Sequence, residues 1–149
     1  MGKIDMKPNI VFQVNIQGHR SKSEFELSNK SWASWCKKNE VKHFVLTEPL
    51  YDLDYMNANW HKFFCLKLLE NENISYNQVC IVDSDTIVHP NCPNFFNETD
   101  GKFTVVQNDG CYEWVNRSIE KYRDNLFPEI TINSWDYFNS GFMIINKNH

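Results

Sequence analysis

Glycine is scarce in this sequence, and no glycine falls in a phosphate-binding motif. Only 5 of the 149 residues are glycine, and neither G-x-G-x-x-G nor G-K-[ST] occurs in the chain. Dinucleotide-binding folds and P-loops both need such glycines, because the backbone N–H groups must approach the phosphates closely. The sequence therefore excludes both of these sites, and any nucleotide must be held in another way.

Basic residues are also few. The 15 Lys and Arg residues are outnumbered by 19 Asp and Glu residues, giving a net charge of −4 and an isoelectric point near 5.7. The basic residues are scattered along the chain, whereas proteins that bind polyanions concentrate them on one face. The sequence therefore predicts no nucleic-acid partner. If a nucleotide binds, a metal must carry most of its phosphate charge.

The chain lacks C-x-x-C pairs and long apolar runs. Its 5 cysteines are odd in number and widely spaced, which favours a reducing compartment. Cys65 and Cys80 lie in apolar runs, which predicts that they are small buried hydrophobic residues. Residues 1–10 contain no apolar stretch of the kind found in a secretory signal, and no run in the sequence approaches membrane-spanning length. We therefore expect one cytoplasmic domain over residues 1–149 without a membrane segment.

Predicted strands and helices alternate along the chain, a pattern typical of an α/β fold with a mostly parallel sheet flanked by helices. In one predicted helix, Trp60, Phe63, Phe64 and Leu68 form an apolar face. The predicted strands cover residues 9–16, 41–47, 79–82, 103–107 and the later part of 137–146, and the predicted helices cover 22–39, 59–70 and 113–126.

The central predicted strand ends in two carboxylates, Asp83 and Asp85. If the chain stays extended, both side chains lean to the same side, at the edge where open α/β sheets bind ligands. Two close anions repel each other unless a positive group lies between them, and Mg²⁺ or Mn²⁺ usually supplies it. This pattern predicts a metal and diphosphate site, although Asp-Ser-Asp is also typical of a plain turn.

Two further features of the sequence each have a structural and a functional interpretation. Asn139-Ser140-Gly141 precedes the last apolar run, and glycine there either allows a ligand to come close or marks a β-bulge or bend. Lys62 falls in the first turn of its predicted helix, where a cation is unfavourable for the helix dipole. We expect Lys62 to be either a solvated surface charge or a residue that faces a phosphate.

These segments together resemble the nucleotide-diphospho-sugar transferases of the GT-A fold, within their glycogenin-like and galactosyltransferase-like branch. The resemblance is carried by the helix over 60–69, the strand with its Asp-x-Asp over 79–88 and the Asn-small-Gly strand over 137–145. It implies a minimal GT-A, Rossmann-like fold. It also implies metal-dependent transfer of a sugar from a UDP-sugar donor, with Mn²⁺ or Mg²⁺ as cofactor, to an unknown acceptor or to water.

The resemblance further implies a role for each candidate residue. Asp83 and Asp85 would bind the metal, with the ribose as an alternative partner of Asp83. Val14 and Asn15 would line the nucleoside pocket, and Lys62, Asp83 and Ser84 would contact the nucleotide and its phosphates. The donor sugar would be bordered by Asn139, Ser140 and Gly141.

The chain departs from the family pattern at its end. Family members usually continue beyond the Asn-small-Gly strand into a part that supplies acceptor contacts, a third metal ligand and the catalytic group. His149 follows a strand that should carry it away from the metal, so we assign neither a third ligand nor a catalytic residue. We expect a minimal core, a fragment, or a homo-oligomer in which another copy covers the sheet edge or completes the site.

Two other functions remain open. Haloacid-dehalogenase-like phosphotransferases also present Asp-x-Asp after an apolar strand, but Ile87 stands where their motif wants Thr or Val, and no acidic pair follows Asp109. The second alternative is a nucleotide-sugar-binding module without transfer activity, because a fold alone does not establish catalysis. Asp109, Glu113 and Asp136 could act near the reacting sugar, or could be turn formers and helix-dipole partners.

Overall fold

The computed structural model describes residues 7–16, 22–107 and 110–147. Predictions that fall on Asp109 and His149 lie outside the described residues. The α-helices and strands, in chain order, are β1 (Ile10–Val14), α1 (Lys22–Lys38), β2 (Lys42–Leu46), α2 (Cys65–Asn71), β3 (Gln78–Val82), β4 (Thr104–Gln107), α3 (Tyr112–Leu126) and β5 (Phe138–Asn146), with short 3₁₀ helices at Ala58–Phe64, Phe95–Asn97 and Ser134–Asp136.

The strands form one sheet in the order β2-β1-β3-β5-β4. Strand β1 pairs in parallel with β2 and β3, whereas β5 is antiparallel to both β3 and β4. Four strands therefore run in one direction and β5 runs in the other. The predicted α/β architecture with a mostly parallel sheet is confirmed, and β5 adds an antiparallel strand whose direction hydrophobic patterning does not reveal.

Strands β1 and β3 lie in the middle of the sheet and are covered on both faces. All residues of β3 are buried, and so are the first four of β1. On one face, Phe12 and Ile81 pack in a core with Leu69 of α2. On the other face, Val11 and Cys80 pack in a core with the tryptophans of α1. This double coverage explains the unbroken apolar runs in both strands.

Helix α1 holds the segment that follows β3. The Trp32 indole N–H donates to Thr86 Oγ1 over 3.0 Å, and the Trp35 indole N–H donates to the Cys92 carbonyl over 2.9 Å. Trp35 also stacks on Phe95, with ring centroids 4.4 Å apart. These contacts connect the helix to the chain on either side of residues 87–91, so α1 positions the segment that contains the Asp-x-Asp motif.

The predicted helix over 59–70 is a 3₁₀ helix followed by α2. Its buried side includes His61 and Lys62, whereas Trp60 and Phe63 are 49% and 50% exposed. The prediction that Trp60 and Phe63 belong to a buried apolar face is therefore wrong. Residues 60 and 63 share a face, as the pattern implied, but the side of the 3₁₀ helix turned to the core carries Ala58, His61 and Lys62 instead.

None of the five cysteines, all of which lie within the described residues, forms a disulfide. All five are free, and Cys36, Cys65 and Cys80 are buried, as predicted for Cys65 and Cys80. Burial raises the pKa of the Cys36 and Cys65 thiols to about 12, so both are protonated and pack as apolar groups.

Among the helices of the described residues, none combines the length and the apolar character that crossing a bilayer would require.

Candidate functional site

Strand β3 ends in a turn. Thr86 donates to the Asp83 carbonyl both through its backbone N–H, over 3.2 Å, and through its Oγ1 hydroxyl, over 2.6 Å. The chain therefore bends directly after Asp83, so the condition that it stays extended as far as Asp85 is not met. The alternative of a plain turn describes the backbone correctly, because the threonine hydroxyl and amide close it locally.

The cation beside Asp83 is the ammonium of Lys62. Lys62 Nζ lies 2.7 Å from Asp83 Oδ1 and 3.0 Å from the Ser140 carbonyl oxygen. The lysine is only 8% exposed, whereas the Asp83 side chain is 41% exposed. A buried ammonium needs an anion and further acceptors, and these two oxygens provide them. Lys62 is therefore not a solvated surface charge.

Gly141 allows Asp83 to approach β5. A Cβ atom at Gly141 would lie 2.8 Å from Asp83 Oδ2 and 2.9 Å from Asn139 Oδ1. The backbone confirms the tight contact, since Asp83 N–H donates to the Gly141 carbonyl over 3.0 Å. A larger residue at position 141 would push the side chains of Asp83 and Asn139 away from their present positions, so glycine permits the close approach.

The Asn139-Ser140-Gly141 segment forms a β-bulge. Val105 of β4 pairs with Met143, but the next residue, Val106, pairs with Asn139. Three residues of β5, 140–142, are thus left between two consecutive partners. Asn139 Oδ1 accepts the Gly141 N–H over 2.7 Å and fixes the bulge. The bulge interpretation from the sequence is correct, and the bulge lies inside β5.

Five of the predicted residues meet in one cleft of about 310 Å³ at the carboxyl end of β3. They come from the 3₁₀ helix, from the turn after β3 and from the bulge of β5, which are far apart in sequence. Four further residues of the lining were not predicted as site residues. The lining consists of Asn59, Trp60, Lys62, Phe63, Asp83, Ser84, Asp85, Tyr122 and Ser140.

Four predicted residues lie outside the lining of this cleft. Val14 is partly buried against the core, and the Asn15 N–H donates to the Leu46 carbonyl over 2.7 Å. Asn139 and Gly141 shape the bulge that presents Ser140. The contact of Val14 and Asn15 with a nucleoside therefore stays a prediction.

The carboxylates at α3 and at the last 3₁₀ helix do not line the cleft. Glu113 lies in the first turn of α3 and pairs with Arg117. Asp136 Oδ2 accepts a hydrogen bond from the Asn133 side-chain amide over 2.9 Å. These positions match their interpretation as a helix-dipole partner and a turn former.

The cleft offers two carboxylates to a divalent cation, those of Asp83 and Asp85. Within the described ranges, no group of three or more His, Cys, Asp or Glu side chains is placed to hold a metal ion. Mg²⁺ in phosphate-binding sites is typically held by one or two carboxylates together with substrate phosphates and water. The residues present thus fit a cation that arrives with a diphosphate, and they do not form a complete protein cage.

A larger cleft, of about 520 Å³, lies beside α2 and the loop before β3. Its charged residues include Lys67 and Glu70, which form an exposed ion pair of 2.9 Å. None of the predicted site residues lines it. This second cleft is larger than the first, but the first has the convergent polar groups, which are the better guide to chemistry.

No protein-family model and no curated protein matches this sequence. The structure is similar to the crystal structure of a glycosyltransferase involved in the glycosylation of the major capsid of PBCV-1, with a TM-score of 0.57 and 11% sequence identity. The similarity covers 95% of this chain and 60% of that chain. The chain thus spans 60% of the length of that glycosyltransferase, and the likeness shows a glycosyltransferase-like fold.

Proposed function

We propose that this protein is a metal-dependent glycosyltransferase that uses a UDP-sugar donor, of the glycogenin-like and galactosyltransferase-like branch. The observation that carries the proposal is that the Lys62 ammonium binds both the Asp83 carboxylate and the Ser140 carbonyl, in a cleft that Asp85 also lines. Three separate segments thereby place two anions, one cation and a small-residue bulge where open α/β sheets bind ligands. The glycosyltransferase-like fold supports the same conclusion.

The charges of the cleft suit a diphosphate leaving group. Asp83 and Asp85 would hold Mn²⁺ or Mg²⁺, which when bound supplies Lewis-acid stabilisation of the charge on the diphosphate. Lys62 adds a second positive charge within the same cleft, and its contact with the Ser140 carbonyl fixes the ammonium in place. A cation held in advance costs little reorganisation as negative charge develops.

The geometry disfavours the phosphotransferase alternative. A nucleophilic aspartate must present a free carboxylate oxygen to the phosphorus. Asp83 Oδ1 instead binds Lys62 Nζ at 2.7 Å. A carboxylate paired with a buried ammonium is a weaker nucleophile than a free one, so the motif resembles a binding site more than a nucleophile.

Calorimetric titration of UDP, with and without Mn²⁺, tests the donor site. We expect the wild type to bind UDP only with Mn²⁺, and Asp85→Asn to weaken this binding at least about tenfold, because one charged ligand is lost. Asp100→Asn is the matched control, since Asp100 is an exposed carboxylate in a turn away from the cleft. Equal binding by all three proteins, or binding that ignores Mn²⁺, would contradict the proposal.

Donor cleavage separates a transferase from a binding module. The wild type is incubated with a panel of UDP-sugars and Mn²⁺, and release of UDP is followed over time. Cleavage that Asp85→Asn abolishes supports transfer, with water as the acceptor when no other is present. Metal-dependent binding without cleavage of any donor, with or without added saccharide, would instead establish a nucleotide-sugar-binding module.

A further inference from the structure

An aromatic groove of about 590 Å³ adjoins the cleft. It shares Trp60 and Phe63 with the cleft, so these two side chains border both sites. The groove is lined by Tyr55, Met56, Asn57, Trp60, Phe63 and Phe64, and we call these six residues the aromatic groove.

The aromatic groove exposes side chains that a folded chain normally buries. Tyr55 is 81% exposed, and Trp60 and Phe63 are about half exposed. The rings of Trp60 and Phe63 lie 5.7 Å apart at an interplanar angle of 48°, so they form an inclined wall. A single exposed aromatic residue needs no explanation, but a contiguous group next to a polar cleft indicates a binding surface.

The chemistry of the groove favours a neutral ligand with one apolar face. None of its six lining residues carries a charge at neutral pH, and Lys62, the ammonium beside Phe63, is directed to Asp83 and Ser140. The rings of Trp60 and Phe63 offer apolar faces, whereas the Tyr55 hydroxyl and the Asn57 amide offer hydrogen bonds at the edges. A saccharide matches this pattern, because its ring has C–H groups on its faces and hydroxyls on its rim.

We propose that the aromatic groove binds the saccharide acceptor of the transfer reaction. This inference rests on the proposed function and adds the class of substrate. A hydroxyl oxygen of the acceptor forms the new bond to the anomeric carbon of the donor sugar. The sugar–phosphate bond breaks, the nucleoside diphosphate leaves with its electron pair, and the hydroxyl proton passes to solvent. Trp60 and Phe63, which border both sites, would orient the acceptor toward the donor.

The test uses saturation-transfer NMR with neutral methyl glycosides of glucose, galactose, mannose and N-acetylglucosamine. The proteins are the wild type, Tyr55→Ala and the control Tyr112→Ala, whose tyrosine is 69% exposed and lies outside the groove. We expect at least one glycoside to bind the wild type, with roughly fivefold to tenfold weaker binding to Tyr55→Ala, the size of one aromatic contact. Binding to Tyr112→Ala should equal that of the wild type.

Three outcomes would overturn the inference. The first is that none of the four glycosides binds, and the second is that a glycoside binds equally to all three proteins. The third is that light scattering shows a dimer for the wild type but not for Tyr55→Ala, which would make the groove a contact between copies. The UDP titration described above runs in parallel on the wild type. Glycoside binding without UDP binding would reject the donor site and the acceptor role together, whereas UDP binding without glycoside binding would reject the groove alone.

Discussion

Lys62 connects two strands that are far apart in sequence. Its ammonium donates to Asp83, directly after β3, and to the Ser140 carbonyl in β5. Lys62 itself is a buried residue of the 3₁₀ helix Ala58–Phe64. The distance from Nζ to the centroid of the Phe63 ring is 5.6 Å, within the range of a cation–π contact. One residue thus ties together the three segments that form the cleft.

Removal of the Lys62 charge should destabilise the protein. We expect Lys62→Met to lower the free energy of unfolding by about 1–3 kcal/mol, because the Asp83 carboxylate and the Ser140 carbonyl both lose a charged partner. The loss stays below that of a fully buried pair, since Asp83 is partly exposed. Urea unfolding followed by circular dichroism measures the change.

The matched control is Lys67→Met, which removes an ion pair of similar length from the protein surface. Exposed pairs contribute little, so this variant should unfold close to the wild-type urea midpoint. Equal midpoints for the two lysine variants would show that the Lys62–Asp83 pair does not stabilise the fold.

At the residue scale, the sequence predicted the members of the cleft better than their contacts. Asp83 and Asp85 were expected at one edge of the sheet because strand ends converge there. Ser140 was expected beside the donor sugar from the family resemblance, and all three residues line the cleft. The pairing of Lys62 with Asp83 was not predicted, because it depends on a 3₁₀ helix that turns the lysine inward. Tyr122 gave no signal, since its place in the cleft depends on how α3 packs.

Helix α1 is connected to the turn after Asp83 by two successive hydrogen bonds. The Trp32 indole donates to Thr86 Oγ1, and the same hydroxyl donates to the Asp83 carbonyl. Trp32 itself is only 4% exposed. The threonine hydroxyl is therefore both acceptor and donor in a partly buried position, where an unpaired indole N–H would be costly.

Replacement of Thr86 tests this connection. We expect Thr86→Val to lower the free energy of unfolding by about 1–3 kcal/mol, because the Trp32 N–H and the Asp83 carbonyl each lose a partner. The Mn²⁺-dependent affinity for UDP should fall as well, since the turn that carries Asp85 is loosened. Thermal unfolding and calorimetry measure the two effects.

The control for this variant is Thr131→Val, the same replacement at an exposed position outside the cleft. It should leave both quantities near the wild-type values. A Thr86→Val protein with wild-type stability and wild-type affinity for UDP would contradict the role of α1.

At the element scale, the helices and strands that were predicted are all present. Their bounds differ by at most two residues except in the region of residues 58–71 and at β5, which begins at Phe138 and includes the polar corner that was predicted to precede the strand. The central strands are unbroken apolar runs and α1 carries Trp32, Trp35 and Cys36 at helical spacing, because each of these elements is covered by a core. The same periodicity misled the assignment of Trp60 and Phe63, which are apolar but serve a groove and a cleft at the surface.

A buried polar network couples β1, β2 and α1 across the molecule. Gln13 is 2% exposed, and its side-chain amide donates to Ser28 Oγ over 3.0 Å. Its carbonyl oxygen, Oε1, lies 2.9 Å from His43 Nε2. Burial lowers the pKa of His43, so the folded protein favours the neutral imidazole.

This network predicts that stability depends on pH. Below the ordinary histidine pKa of about 6.5, the unfolded chain binds a proton at His43 that the folded protein resists, so the unfolded state binds more protons and stability rises with pH. The stabilisation is complete above that pKa and is lost as the pH falls toward the lowered pKa of the folded state. Urea midpoints between about pH 5 and about pH 7.5 measure the slope.

The histidine responsible is identified by comparing variants. The slope in this range should decrease in His43→Gln and persist in His89→Gln, since His89 is exposed. An unchanged slope in His43→Gln would assign the pH dependence to other groups.

At the scale of the whole molecule, the fold class could be predicted because strands and helices alternate in the sequence, and the structure confirms it. The order of the strands in space could not, since pairing partners depend on contacts between distant residues. The cytoplasmic location and the homo-oligomer stay predictions.

The position of β5 in the sheet affects the order in which the protein can fold during synthesis, because β5 separates two strands that precede it along the chain. In the described sheet β4 pairs only with β5, and β5 follows β4 along the chain yet lies between β3 and β4. As the chain leaves the ribosome, β1, β2 and β3 can pair early, while β4 has no neighbour until β5 emerges. Ser140 and Gly141 belong to β5, so the nascent chain acquires its cleft only when β5 has joined the sheet.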